Sequence, residues 1–337
     1  MSFDIKTLMT PKALPDRTEN ISLVQTHISF VIVADDFVYK IKKPVDFGFL
    51  DFSTLDKREY YCNQEVDLNR RLSQDLYIGV LPVIFDGESY KIGGEGRGEI
   101  IEYTVKMKRI PDEMLMKSLF EKGTLKNDHL KEIARVLAEF HQSAGRSDEI
   151  DKFGDPEMFK INSDENFQQT EKYIDITIRE EDYEAIKNWT DRFYVKNRSL
   201  FLDRVKTGKI RDCHGDLHME HICLTDPVHV FDCIEFNDRF RYTDVLADIA
   251  FLLMDLEYHG GEDAADKIWK SYTALTDDIS LDSLLIFYKV YRAYVRGKVN
   301  SFQIDDDQIS KEKKEEAVEA AKKYFLLARR YLNTDIL

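Results

Sequence analysis

Several things are scarce in this chain, and each scarcity closes off a class of protein. Four cysteines in 337 residues, with no Cys-x-x-Cys pair, provide neither a disulfide framework nor the usual spacing of a structural zinc site, which fits a reducing compartment. No apolar run is long enough to cross a bilayer, and the amino terminus lacks the basic-then-apolar order of a signal peptide. A cytoplasmic protein with no membrane partner is therefore expected. Positive charge is in deficit: 48 Lys and Arg against 63 Asp and Glu leave a formal net charge of -15. That balance argues against a nucleic-acid partner, because phosphate backbones are held by clustered basic residues. Glycine is thinly spread as well. The one cluster, Gly93-Gly94-Glu95-Gly96-Arg97-Gly98, lacks the Gly-Lys-Ser/Thr ending of a Walker loop, and its place between strand-like segments predicts a hairpin turn.

What is present is concentrated in one stretch. Cys213-His214-Gly215-Asp216-Leu217-His218-Met219-Glu220-His221 is followed by the apolar Val228-His229-Val230-Phe231 and then by Asp232. One acid sits in a tight turn, a second at the end of a short strand, with His221 between them in sequence. Phosphoryl transfer needs a hydroxyl to be aimed and phosphate charge to be neutralised by metal. Asp216 is placed for the first task, and His221 with Asp232 for the second. An imidazole suits transition metals better than magnesium, whose preferred ligands are oxygens. A rival reading takes Cys213, His214, His218, His221, Cys223, His229 and Cys233 as the makings of a transition-metal site in a metal-dependent hydrolase. His214 and His218 would share a face on a helix, but the intervening Gly-Asp favours a turn.

His-Gly-Asp, a metal-ligand position five residues on, and a strand ending in Asp together resemble the aminoglycoside phosphotransferase and choline kinase group of the protein-kinase-like fold. The resemblance implies an α+β, two-lobe architecture: an antiparallel, β-rich amino-terminal nucleotide-binding lobe over residues 1–108, and a mostly helical catalytic and substrate-binding lobe over residues 109–337. It implies ATP with Mg2+, Mn2+ being the alternative, and a small-molecule substrate that accepts the γ-phosphate on a hydroxyl. The catalytic role falls on Asp216 and the metal roles on His221, where the group usually has Asn, and Asp232. Downstream, Asp244-Val245-Leu246-Ala247-Asp248 resembles the group's helix opening. Asp248 is expected to tie the His214 loop to that helix through backbone or His hydrogen bonds, and Asp244 to cap it.

The amino-terminal third has the pattern such a fold requires. Ile21–Thr26, Ser29–Ala34 and Phe37–Lys42 are β-rich runs joined tightly, which predicts three antiparallel strands. Lys40 and Lys42 are two apart and so project from one strand face. By the resemblance, one of them holds the α- and β-phosphates and pairs with a helical Glu. Lys40, ending Phe-Val-Tyr-Lys, is the better match, and Glu65 within the helical pattern of residues 57–72 is its expected partner. A plainly solvated strand face would also carry two lysines. Between the first two strands, where kinases cover the phosphates with glycines, the chain has Thr26-His27-Ile28-Ser29. The Thr26 and Ser29 hydroxyls are the candidates to assist there. The missing glycine loop and the His at a metal position leave open a nucleotide-binding pseudokinase or regulatory module.

Cationic side chains near the expected acceptor site are the substrate candidates. Arg239 and Arg241 follow the metal acid, where an activation segment would lie. Lys289, Arg292 and Arg296 fall on one face of a helix and hint at an anionic or phosphorylated substrate. They would equally pair with carboxylates such as Asp255 or Glu257.

Overall fold

The computed structural model describes residues 4–94, 98–276, 282–306 and 309–333. The first strands are β1 (Ser22–Gln25), β2 (Ser29–Val33) and β3 (Phe37–Lys42), followed by helix α1 (Leu55–Ser73), then β4 (Tyr77–Phe85), β5 (Tyr90–Ile92) and β6 (Glu99–Lys108). Helices α2 (Met116–Glu121), α3 (Asn127–Ser143), α4 (Asp148–Asp151), α5 (Pro156–Thr170), α6 (Glu180–Lys196) and α7 (Arg198–Lys206) come next. Short strands β7 (Ile210–Asp212), β8 (Ile222–Cys223) and β9 (His229–Val230) precede α8 (Asp238–Arg241) and β10 (Tyr242–Asp244). The chain closes with α9 (Val245–Tyr258), α10 (Glu262–Thr273), α11 (Asp282–Phe302) and α12 (Lys311–Tyr331).

The chain forms two compact units, residues 1–124 with 220–238, and residues 125–219 with 239–337. It thus passes between units three times, where the sequence pattern suggested a single division after residue 108. The segment bearing His221 and Asp232 belongs to the first unit, although it follows the helical segments in sequence.

The first unit is built on a six-stranded antiparallel sheet in the order β1-β2-β3-β6-β4-β5. The expected three-strand meander is present, with Val31 opposite Lys40 and Ser29 opposite Lys42. Alternation along β3 sends Tyr39 and Ile41 into a core with Ile5, Leu8, Ile32 and Val83. On the other face, α1 packs Cys62 and Val66 against Tyr77 and Val105. Thr54 caps α1, its hydroxyl accepting from the Lys57 N–H.

The glycine cluster does not form a hairpin. β5 and β6 both pair with β4 and lie on opposite sides of it, so Gly93–Gly98 joins strands that are not neighbours. Gly93 and Gly94 take positive φ, and residues 95–97 lie outside the described residues. Local turn chemistry predicts a tight turn, but it carries no information about which strand fills the gap between the two it joins.

In the second unit α9 is the core helix, buried from Val245 through Leu256. It packs on α10 and α11, and α11 lies along α12. Gly297 on α11 lies tight against α12, where a Cβ would meet the Phe325 ring at 2.7 Å. β7 and β10 pair antiparallel and bring Asp212 opposite Tyr242.

Candidate active site

In the first unit the charged side chains gather on the sheet face that α1 covers. Lys40 Nζ lies 2.9 Å from Glu65 Oε1 and 2.6 Å from Asp232 Oδ1. Lys42 Nζ lies 2.6 Å from Glu65 Oε2 and is bonded to Glu235 Oε1. Glu65 and Lys42 have 0% and 1% of their side chains exposed, so the network is removed from water and each charge depends on its neighbours. Burial alone would lower the pKa of both lysines; Asp232 and Glu65 outweigh it at Lys40, and Glu235 and Glu65 at Lys42, so both are raised. Burial would likewise raise Glu65, but the two ammoniums bring it down. At Glu235 burial prevails, Lys42 offsets only part of it, Glu65 adds to it, and the pKa is raised.

Asp232 adopts the left-handed conformation, with φ of +61°. Asp tolerates that region better than most residues, yet the geometry still has to be enforced by its surroundings. The Asp232 N–H donates to the Tyr77 hydroxyl at 3.1 Å, and the Cys233 N–H donates to Asn69 Oδ1 at 2.8 Å. Asn69 in turn donates to the Glu65 carbonyl at 2.8 Å, and Ser73 Oγ donates to the Val230 carbonyl at 2.7 Å. Helix α1 therefore carries the counter-ion of the lysines and also holds the backbone around the strand-end acid.

The result is an aspartate with one oxygen on an ammonium and the other, Oδ2, 3.5 Å from His221 Nε2, while 41% of its side chain stays exposed. A partly exposed carboxylate and an imidazole nitrogen 3.5 Å from it could hold a divalent cation, with manganese or zinc suited to the nitrogen better than magnesium is. A cation held there would supply charge neutralisation for a bound phosphate.

In the second unit β7 leads into a turn at Gly215, whose φ of +87° disfavours most side chains. Asp248, on α9, accepts the His214 N–H on Oδ2 and the Gly215 N–H on Oδ1, each at 2.9 Å. His141 Nε2 lies 3.2 Å from the same Oδ2, and its Nδ1 lies 2.8 Å from the Tyr272 hydroxyl. Burial opposes ionisation of Asp248, but His141, His214 and Arg292 outweigh it and hold the carboxyl far below the usual range. Arg292 donates to the Gly215 carbonyl at 2.8 Å and to the Ala247 carbonyl at 3.0 Å. The Asp216 N–H donates to His214 Nδ1 at 3.3 Å, and His218 Nε2 stands 3.6 Å from Asp216 Oδ2. Side chains of α9 and α11 thus fix the loop carrying Asp216. Asp244 caps α9, accepting from the Leu246 N–H, and is gripped by Arg204 at 2.6 and 2.7 Å.

Other residues singled out from sequence are spent differently. Thr26 and Ser29 close their own turn: the Ser29 N–H donates to the Thr26 hydroxyl at 2.9 Å, and Ser29 Oγ is buried. The Thr26 hydroxyl thus binds the β1–β2 connection to itself, while Ser29 Oγ has no hydrogen-bond partner. Arg239 forks onto Glu165 at 2.6 and 2.9 Å, Arg241 reaches Asp212 at 2.5 Å, and Lys289 reaches Glu257 at 2.5 Å. Arg292 is committed to backbone carbonyls, so it supports the Asp216 loop instead of facing a substrate. All four cysteines are buried. His141, Cys213 and Asp248 bring ligand atoms within 4.8 Å of one another, but both Asp248 oxygens are already engaged by the loop amides.

Glu235, Asn69 and Tyr77 were not identified from sequence. Glu235 had a signal: a carboxylate within the apolar run Phe231–Phe236 that ends up buried requires a cation.

Solved structures of similar architecture include two whose names describe kinases. A choline/ethanolamine kinase family protein from Mesorhizobium loti is 12% identical, with 93% of each chain covered and a TM-score of 0.50. The amicoumacin kinase hAmiN, in complex with AMP-PNP and Ca2+, is 12% identical over 95% of this chain and 91% of that one, with a TM-score of 0.54. At such identity the likeness shows the fold, which is the two-lobe protein-kinase-like fold. Residues 61–280 match the model of the phosphotransferase enzyme family, and the chain belongs to that family. The matched span holds Glu65, Asp216, His221, Asp232 and Asp248 and begins after Lys40 and Lys42. Uncharacterised proteins of Mycobacterium tuberculosis and Mycobacterium bovis are each 34% identical over 313 residues, 93% of this chain. The chain spans 60% of the length of these relatives.

Proposed function

We propose that the protein transfers the γ-phosphate of ATP to a hydroxyl group of a small molecule. The observation that carries this reading is the position of the Lys40 ammonium, between the Glu65 and Asp232 carboxylates at 2.9 and 2.6 Å. A lysine so placed is anchored by Glu65 while its other contact is to the acid suited to a metal, so an arriving triphosphate can take that contact over. In this reading Lys40 holds the nucleotide phosphates, Asp232 and His221 would hold the divalent metal, and Asp216 orients the acceptor hydroxyl for in-line attack. The role falls to Lys40 over Lys42 because Lys42 is 1% exposed and both its carboxylate partners are buried, whereas the Asp232 partner of Lys40 is 41% exposed. His214 and Asp248 act by positioning the Asp216 loop.

One alternative, a nucleotide-binding module without turnover, is favoured by the β1–β2 turn, which has no glycine to bring its amides close to a phosphate, uses the Thr26 hydroxyl on the Ser29 backbone and buries Ser29 Oγ. Calorimetry of ATP with magnesium and with manganese, on wild type and on Asp232→Ala, tests the site. Metal-dependent binding that disappears in the variant is expected, whereas no binding with either metal overturns the proposal. Phosphate appearing on an acceptor then separates the enzyme from the silent module.

A further inference from the structure

Arg296 stands apart from the other cations of α11. Lys289 has Glu257 and Arg292 has two backbone carbonyls, but Arg296 has no carboxylate within 4.0 Å among the described residues, and its Nε is buried without a partner. The side chain is partly exposed and its guanidinium lies over the Tyr324 ring at 5.5 Å. Tyr324 is stacked on Tyr258 at 3.7 Å, and its hydroxyl is 3.4 Å from Asp255 Oδ1. Asp255 also accepts the Met219 N–H, at the end of the Asp216 loop. One turn earlier on α11, Arg292 grips the Gly215 carbonyl, next to Asp216. The helix therefore delivers Arg296 to the Asp216 side of the loop, where besides Tyr324 it feels the charges of Asp216 and Asp255 without an ion pair to either.

We propose that Arg296 is the acceptor-selecting residue, binding a carboxylate on the molecule whose hydroxyl Asp216 orients, so that the acceptor is a hydroxy acid. A largely buried guanidinium with an unmet donor is costly unless something supplies the acceptor atoms, and a carboxylate supplies two in the geometry a guanidinium prefers. The neighbouring carboxylates decide between anions. A phosphate monoester would bring nearly two charges beside Asp216 and Asp255, a carboxylate only one. The stacked tyrosines give the group a rigid wall.

This inference rests on the phosphotransferase reading, and the test separates the two. With AMP-PNP and manganese saturating the nucleotide site, calorimetry measures glycerate, glycerol 3-phosphate and glycerol on wild type, Arg296→Gln and Arg296→Lys. Glycerate is expected to bind wild type in the millimolar range, at least about tenfold more weakly to Arg296→Gln, and with partial recovery in Arg296→Lys. Glycerol should show no dependence on the residue, and glycerol 3-phosphate should bind more weakly than glycerate. Because a variant can fail to fold, phenylglyoxal labelling of wild type, read by peptide mass spectrometry, provides a second measure: glycerate should protect the Arg296 peptide. AMP-PNP binding without any Arg296-dependent glycerate binding or protection overturns the inference alone. Tighter, Arg296-dependent binding of glycerol 3-phosphate overturns the choice of carboxylate. Loss of AMP-PNP binding in wild type overturns the underlying reading instead.

Discussion

Lys40 and Lys42 are bound to opposite oxygens of one carboxylate, that of Glu65. Two ammoniums on one strand face would repel each other; the shared acid on α1 converts that repulsion into a link between helix and sheet. Glu65→Gln is therefore expected to act twice, costing about 3 kcal/mol or more of stability by leaving buried cations under-compensated, and weakening ATP by about tenfold through misplacement of Lys40. Urea unfolding and calorimetry on the same protein check the two effects.

The two lysines should separate cleanly. Lys40→Met removes a contact to Asp232, which is 41% exposed, and one to buried Glu65, which keeps Lys42, so ATP affinity falls by about a hundredfold while stability falls by about 1–2 kcal/mol. Lys42→Met strands Glu235 in the core without its cation and should cost about 3–5 kcal/mol. If instead Lys42→Met folds normally and loses ATP, the assignment of the phosphate-binding lysine is reversed.

Tyr77→Phe and Asn69→Ala test the enforcement of the left-handed backbone at Asp232. Each removes one acceptor for the amides of residues 232 and 233 without touching the proposed metal ligands. Manganese affinity in the presence of ATP should drop by about tenfold to a hundredfold in Asn69→Ala. Asp232→Asn provides the contrast, tolerating the same backbone while losing the charge.

Lys298 gives a pH dependence with a definite sign. Its Nζ donates to Asn166 Oδ1 at 2.6 Å and Gln169 Oε1 at 3.0 Å, both neutral. Burial lowers its pKa to about 8, against the pull of Glu165 and with the help of Arg239. Between pH about 8 and the ordinary lysine value of 10.5 the unfolded chain keeps a proton that the folded protein has released, so this group makes stability rise with pH across that window, by about 2–3 kcal/mol. The difference between wild type and Lys298→Met in urea unfolding should follow that rise, with the variant the more stable near neutral pH.

Much of the fold was legible because its signals are local and periodic. Alternation over Phe37–Lys42 marks β3, and the apolar spacing of Leu130, Ile133, Ala134 and Leu137 marks α3. Acids in apolar surroundings were legible too, since an Asp amid Ile249, Ala250 and Phe251 must be buried with partners; Asp248 has three. Partnership across the sequence was not. Nothing near Arg292 indicates that its guanidinium ends on the Gly215 carbonyl, and nothing near Glu235 points to Lys42, 193 residues earlier. Strand order escaped for the same reason: the insertion of β4 between β5 and β6 is a choice among long-range pairings.

The two amides that Asp248 accepts have a consequence for how the loop exchanges with solvent. His214 and Gly215 lie in a segment with no helix or strand of its own, where deuterium would normally enter within seconds to minutes. Their acceptor, however, sits on the most deeply buried helix of the unit, and releasing them requires α9 to come away from α10 and α11. Those two amides should therefore exchange at the rate of the α9 interior, opening only when the whole unit does, so that this irregular loop is as slow to deuterate as the centre of a core helix.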